Sequence, residues 1–185
     1  MDHLSILRGK CSWPAIYYDF VDSFIKLHKP KLFVVIGVAL GLHAQDILSR
    51  NPQLIYWGID PFVYGYDQGD QFCNDIVNQY CLDGQAAMDQ LYKDVVIDLS
   101  NAFPSRVFIT RESSHIAHSL FLDQSIDFLF IDGDHSYSAV YSDVTNWYPK
   151  VKENGLLLGD DFAWPQVSSA VHDAAKNLKA IFKVY

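Results

Sequence analysis

The feature of this sequence that most constrains its fold is a series of short, continuous apolar runs separated by segments of helical periodicity. Runs that are apolar without alternation are typical of parallel strands covered by helices on both faces. The predicted strands are KLFVVIG (31–37), QLIYWGID (53–60), RVFIT (106–110), SIDFLFID (125–132), GLLLGD (155–160) and AIFKVY (180–185). The sequence therefore predicts an α/β fold, a doubly wound, mostly parallel sheet with helices on both faces.

Six helices are predicted between or before these strands, at 12–29, 42–50, 84–103, 113–122, 136–148 and 165–178. In the first of them Ser12 is the expected N-cap and Pro14 lies in the first turn. A chain of 185 residues suits one domain, so we expect a single domain over 1–185 with an N-terminal helical extension at 1–30. Residues 61–83 read as irregular, rich in Gly, Tyr and Asp.

Charge and composition exclude several classes of function. The formal net charge is −8, which argues against a non-specific nucleic-acid binder, because such proteins need a basic face. No run reaches the roughly 18 apolar residues of a membrane span, and the N-terminus lacks a signal-peptide layout. We therefore expect a cytoplasmic protein whose partner is a small polar ligand or a cation, with no nucleic acid and no membrane.

The ends of the first two strands carry a candidate nucleoside site. Gly37 and Gly41 lie at a strand-to-helix turn, where glycine lets a ligand approach the backbone. Asp60 ends the second strand, about 20 residues on, where an acid typically holds ribose hydroxyls. A tight turn and a loop-capping aspartate before Pro61 are the plain alternatives. The missing GxGxxG spacing counts against NAD but does not by itself identify the nucleoside.

The ends of the fourth and fifth strands carry acids. Asp132 ends one strand, and Asp160 and Asp161 end the other. If these strands are neighbours, roughly 5 Å apart, the carboxylates repel one another by about 1 to 4 kcal/mol per pair at about 4 Å. Either a carboxyl is protonated, or a cation such as Mg²⁺ lies between them. His135 follows closely and is a candidate general base, although a solvated loop histidine is the alternative.

The stretch FIDGDHSYSAVYSDVTNWYPKVKENGLLLGDDF (130–162) resembles the class I methyltransferases that use S-adenosylmethionine. It is most similar to a metal-dependent, small-molecule O-methyltransferase group that includes macrocin O-methyltransferase. VVIGVALG and WGIDPF extend the resemblance over roughly residues 32–172. The resemblance implies a metal held by Asp132, Asp160 and Asp161, and His135 as general base. It also implies cofactor contacts at Gly37, Ala39, Gly41, Asp60, Ser113 and Asp132.

The resemblance further implies a small-molecule hydroxyl acceptor of sugar, polyketide or catechol type. The sequence departs from the group in two places. Val35 stands where the first strand commonly carries an acid that helps hold the methionine end of the cofactor. The chain also ends directly after its predicted sixth strand, so the last strand of the fold is expected to be lacking, and a homodimer is a hypothesis.

Two segments and two other functions stay open. Residues 61–83 are a candidate lid, or a surface excursion that packs its tyrosines on the core. The helix at 12–29 covers the site or completes a layer. A catalytically degenerate nucleoside-binding module and an NAD-dependent Rossmann oxidoreductase are the alternative functions.

Overall fold

The computed structural model describes residues 2–11, 16–65 and 71–185. Its strands are β1 (Leu32–Ile36), β2 (Ile55–Ile59), β3 (Val107–Thr110), β4 (Ile126–Ile131) and β5 (Val151–Gly159). Its helices are α1 (His3–Lys10), α2 (Ile16–His28), α3 (Leu42–Arg50), α4 (Gln71–Tyr80), α5 (Gly84–Ala102), α6 (Ser114–Ala117), α7 (Tyr137–Trp147) and α8 (Pro165–Leu178). All strand pairs are parallel, in the order β3–β2–β1–β4–β5. The predicted doubly wound α/β fold is confirmed.

The register of the sheet brings the strand ends to one edge. Ile36 pairs with both Ile59 and Ile131, and Ile131 pairs with Gly159. The strand order reverses between β1 and β4, which is where such sheets bind ligands. The residues that follow β2, β1, β4 and β5 therefore lie side by side along one edge of the sheet, which includes the switch point.

The two faces of the sheet have separate cores. Phe33, Val35 and Phe130 lie on one face, in a cluster with buried residues of α1 to α5. Val34 and Ile36 lie on the other face and pack in a second cluster with Trp147 of α7. This two-sided burial is why the strands read as continuous apolar runs.

Residues 61–83 are not irregular throughout, because α4 occupies 71–80. Cys73, Ile76 and Tyr80 of α4 are buried at helical spacing, and α4 packs against α5 and α1. This short run of helical periodicity was not recognised in the sequence, because it follows a segment rich in glycine and aspartate. A lid remains a prediction for the part of the segment before α4, where 66–70 lie outside the described residues.

The predicted sixth strand is wrong, since residues 180–185 contain no strand. Lys179 ends α8 in a left-handed conformation, and the tail then contacts helices through its rings. Phe182 packs against His172, and Tyr185 packs against Phe20 and Phe24 of α2. β5 is consequently the outermost strand on its side of the described sheet.

The remaining boundaries differ by a few residues. The helix predicted at 113–122 is α6 followed by a 3-10 turn, His118–Leu120. β5 begins earlier than predicted, because Val151 already pairs with Ile126 before a register irregularity in the strand. Ser12 and Pro14 lie outside the described residues. Among the helices of the described ranges, none is both long and apolar enough to cross a membrane.

Candidate active site

The loop between β1 and α3 passes so close to the end of β4 that only glycine fits its first position. Gly37 has φ +95°, and an added Cβ there would lie 1.8 Å from the carbonyl oxygen of Asp132. Gly41, the N-cap residue of α3, also has a positive φ of 72°. The two glycines are thus required by the backbone, and they join the loop directly to the acidic end of the sheet.

Asp60 shapes this loop. Its Oδ2 accepts hydrogen bonds from the N–H groups of Val38 (2.9 Å) and Ala39 (3.0 Å), and its Oδ1 accepts one from Phe62 (2.8 Å). Burial raises the pKa of Asp60, while these three donors oppose that shift. The capping role that the sequence left open is therefore present, and ribose binding by Asp60 stays a prediction.

Arg8 of α1 also holds the loop, and no local pattern in the sequence indicated this role. Its Nε donates to the carbonyl oxygen of Leu40 (2.9 Å), and its Nη1 pairs with Asp98 of α5 at 2.8 Å. The N-terminal helix is therefore tied both to the loop and to the helix layer.

The acidic end brings together Asp132, His135 and Asp161. One ligand atom from each lies within 4.8 Å of the others, and His135 Nε2 lies 2.8 Å from Asp161 Oδ2. Asp160 lies outside this group, and its Oδ1 accepts the N–H of Asp161 (2.8 Å). The structure thus separates the predicted acids into two that face His135 and one that folds back on its own chain.

The electrostatics of this end favour a cation. Burial, then the charges of Asp160 and Asp161, raises the pKa of Asp132 to about 7, against a smaller lowering by His135. Burial also raises the pKa of Asp160. Carboxylate oxygens with an imidazole are a donor set that binds divalent cations, so these residues fit one.

Local backbone geometry positions Asp161 and His135. Asp161 has φ +56°, a conformation that aspartate tolerates better than most residues. Trp164 donates its backbone N–H to the carbonyl of Asp161 (2.9 Å), and its ring lies 4.6 Å from that of His135. Asp134 accepts the N–H of Ser136 (2.7 Å) and therefore shapes the turn into α7.

Ser113 follows β3, apart from the acidic end. It is the N-cap residue of α6 but makes no side-chain cap bond, and its N–H donates to Glu112 Oε1 (2.8 Å). Behind it Asp143 is buried, and burial raises its pKa to about 6. Contact of Ser113 with an adenine ring stays a prediction.

Four polar rings that the sequence analysis missed lie beneath Asp132. We call Tyr17 and Tyr18 of α2, His43 of α3 and Tyr56 of β2 the tyrosine–histidine cluster. The ring centroid of His43 lies 5.7 Å from that of Tyr17, 5.2 Å from Tyr18 and 6.5 Å from Tyr56. Burial lowers the pKa of His43 to about 3, so its imidazole is neutral. The only signal in the sequence was a histidine two residues after Gly41.

Comparison with known proteins identifies the family to which the chain belongs. Residues 34–162 match the family model described as a methyltransferase domain. An uncharacterised protein of Acanthamoeba polyphaga mimivirus is 40% identical over 63 residues, which is 32% of this chain and 28% of that protein. The chain thus matches less than a third of the length of this curated relative.

Solved structures share the fold at low identity. A methyltransferase from Podospora anserina, with SAH bound, superimposes with a TM-score of 0.60 at 14% identity, over 96% of this chain and 76% of that one. The TDP-rhamnose 3′-O-methyltransferase of calicheamicin biosynthesis superimposes with a TM-score of 0.60 at 12% identity, over 98% and 86%.

Proposed function

The chain belongs to the methyltransferase-domain family, whose methyl donor is S-adenosylmethionine, and we propose that it methylates a hydroxyl group of a small molecule with the help of a divalent cation. The observation that carries the proposal is the convergence of Asp132, His135 and Asp161 at the switch point of the sheet. This arrangement supports the assignment of a base and an acidic cation site beside the glycine loop.

The loop from Gly37 to Gly41, Asp60 and Ser113 would hold the donor. The close packing of Gly37 against Asp132 supports this assignment, since it sets the loop directly beside the acids. A donor on the loop would have its sulfonium near the negative end of the site, which is electrostatically favourable.

His135 would act as the general base. Asp161, whose Oδ2 lies 2.8 Å from Nε2, would hold the N–H of that ring nitrogen and stabilise the imidazolium, and the other nitrogen, Nδ1, would accept the proton of the acceptor hydroxyl. The hydroxyl oxygen then forms its bond to the methyl carbon as the carbon–sulfur bond breaks, and the electron pair of that bond stays on sulfur. Most of the acceleration expected of such a site comes from positioning.

Asp132 and Asp161 would hold the cation, with Mg²⁺ the first candidate because both residues offer carboxylate oxygens. When bound, the cation supplies Lewis-acid chemistry that lowers the pKa of a coordinated hydroxyl. Asp160 would act mainly through its charge, since one of its oxygens is occupied by the N–H of Asp161.

The acceptor class follows from what the site can bind. A sugar diol, a catechol or a polyketide hydroxyl can bind a cation and lose a proton to His135. The Trp164 ring, 51% exposed beside His135, offers a flat apolar surface for such a ring. A net charge of −8 disfavours polyanionic acceptors.

The test is release of S-adenosylhomocysteine from S-adenosylmethionine with a panel of sugar, catechol and polyketide hydroxyls, with Mg²⁺ or with EDTA. We expect turnover with one acceptor class, loss of turnover in EDTA, and a rate reduced about 10² to 10⁴-fold in His135→Gln. His28→Gln, an exposed histidine at the far end of α2, is the matched control. Full activity of His135→Gln would remove the assigned base.

A further inference from the structure

The tyrosine–histidine cluster contains two buried polar atoms that lack a partner. Among the described residues, neither Nε2 of His43 nor the hydroxyl of Tyr56 has a hydrogen-bond partner. His43 is 7% exposed and Tyr56 is 0% exposed. An unsatisfied buried polar group is destabilising, so two of them in one cluster indicate a place for a hydrogen-bonding ligand.

The ring of Tyr56 leans from its own position in β2 over Gly58, toward the end of the strand. Tyr56 lies early in β2, but its ring leans over Gly58, with Cε1 3.0 Å from where a Cβ of Gly58 would be. The charges of Asp132 and Asp60, which both follow strand ends, raise the pKa of Tyr56 further beyond the effect of burial. The ring thus lies over Gly58, near enough to the strand ends for the charges of Asp132 and Asp60 to act on its hydroxyl.

His43 reaches the same place from α3. It is the second residue of that helix, directly after the glycine loop, and its ring lies 5.3 Å from that of Phe130, two residues before Asp132. The ring of Tyr17 packs against the rings of His43 and Phe130. Tyr17 is only partly buried and is the most exposed member of the cluster.

We propose that His43 Nε2 and the Tyr56 hydroxyl bind the amino group at the methionine end of S-adenosylmethionine. The inference rests on the proposed function and deepens it. An ammonium group offers three donors, while a neutral imidazole nitrogen and a phenol oxygen are acceptors. The charge of Asp132 and the surrounding ring faces also favour a cation. On this sheet face β1 presents Val35, which has no polar atom, so these two groups supply the contacts that β1 lacks.

The test separates the two ends of the donor. Binding of S-adenosylmethionine and of 5′-methylthioadenosine, which lacks the amino-acid end, is measured by calorimetry for the wild type, Tyr56→Phe and His43→Phe. Each variant should bind S-adenosylmethionine about tenfold or more weakly, as expected for a hydrogen bond to a charged group. Binding of 5′-methylthioadenosine should change less than twofold.

A thermal melt without ligand distinguishes binding from a structural role. Tyr56→Phe removes an unpartnered hydroxyl, so its Tm should be equal to or higher than that of the wild type. Tyr80→Phe is the matched control, because the Tyr80 hydroxyl donates to Asp94 (2.8 Å) on the α4–α5 contact. It should lower Tm and leave both ligand affinities unchanged.

Each other outcome contradicts the inference. Equal weakening of both ligands would indicate a general distortion, and unchanged binding of both would indicate that the cluster holds only internal water. Failure of the wild type to bind S-adenosylmethionine would overturn the proposed function itself, and the inference with it. If His43→Phe does not fold, Tyr56→Phe decides alone.

Discussion

The two ends of the site, the glycine loop with Asp60 and the acidic end with Asp132, differ in how their buried carboxylates are stabilised. At the loop end, Asp60 is surrounded by three backbone N–H donors, and Arg8 binds the Leu40 carbonyl. At the acidic end, Asp132 faces other carboxylates, and their charges add to burial in raising its pKa. The loop end is therefore satisfied within the protein, whereas the acidic end keeps a repulsion between carboxylates that a bound cation would relieve.

This difference separates the residues that stabilise the loop conformation from those that are available for binding or catalysis. A carboxylate whose oxygens accept backbone N–H bonds fixes the chain, and only its remaining lone pairs can accept a bond from a ligand. Carboxylates that face each other lower the stability of the folded protein by mutual repulsion, and such groups are typical of functional sites. Gly37 is the point at which the two ends touch, because its backbone packs on the carbonyl of Asp132.

Gly37→Ala should have the largest effect, since it disturbs both ends at once. The new Cβ would meet the Asp132 carbonyl at 1.8 Å and also requires a positive φ, so we expect a loss of about 3 kcal/mol or more in unfolding free energy. Urea denaturation measures it. Gly65→Ala is the control, because φ is +70° there and no atom of the described residues lies within 4 Å, and it should cost only about 1 kcal/mol. Equal losses in the two variants would contradict the close approach.

The paired acids at the end of β5 give the next effect. Asp161→Asn keeps a side chain that tolerates the left-handed backbone but removes the charge beside His135, so kcat should fall about 100-fold. Asp160→Asn keeps the oxygen that accepts the Asp161 N–H and should cost less than about tenfold. Initial rates of both variants are compared at one Mg²⁺ concentration, chosen to saturate the wild type. An Asp160→Asn loss as large as that of Asp161→Asn would instead favour the metal set predicted from the sequence.

The smallest effect is a pH dependence of stability that belongs to the acidic end. The pKa of Asp132 is about 7 in the folded protein and ordinarily 3.8. Between those values the unfolded chain has lost this proton while the folded chain keeps it, so without metal the stability falls as pH rises from about 4 to about 7. Asp132→Asn should remove this slope and raise Tm at pH 7 by roughly 2 to 4 °C. Melts of the two proteins with the same slope would refute the raised pKa.

The sequence predicts the strand ends better than it predicts what surrounds them. Apolar runs and the acids that follow them are local in the chain, so β1, β4 and the edge at Asp132 could be anticipated. α4 was missed because its short apolar period follows a Gly- and Asp-rich segment. The prediction of a sixth strand was wrong because residues 180–185 have strand composition but pack their rings on helices.

The site shows the same limit. Arg8 reaches Leu40 across 32 positions, and the tyrosine–histidine cluster assembles from three elements, so neither leaves a local pattern. Which acid of the pair at 160–161 faces His135 depends on the left-handed backbone of Asp161, which a sequence does not display. These features therefore became apparent only from the contacts between distant segments and from the backbone conformation in the structure.

The measurement that tests the central claim most directly is calorimetric titration of the protein with S-adenosylmethionine, with and without Mg²⁺, and with NAD as control ligand. The account predicts one-to-one binding of S-adenosylmethionine, no binding of NAD, and a separate Mg²⁺ isotherm that Asp161→Asn abolishes. Binding of NAD, or no binding of S-adenosylmethionine with or without Mg²⁺, would contradict the assignment of the loop end to the methyl donor.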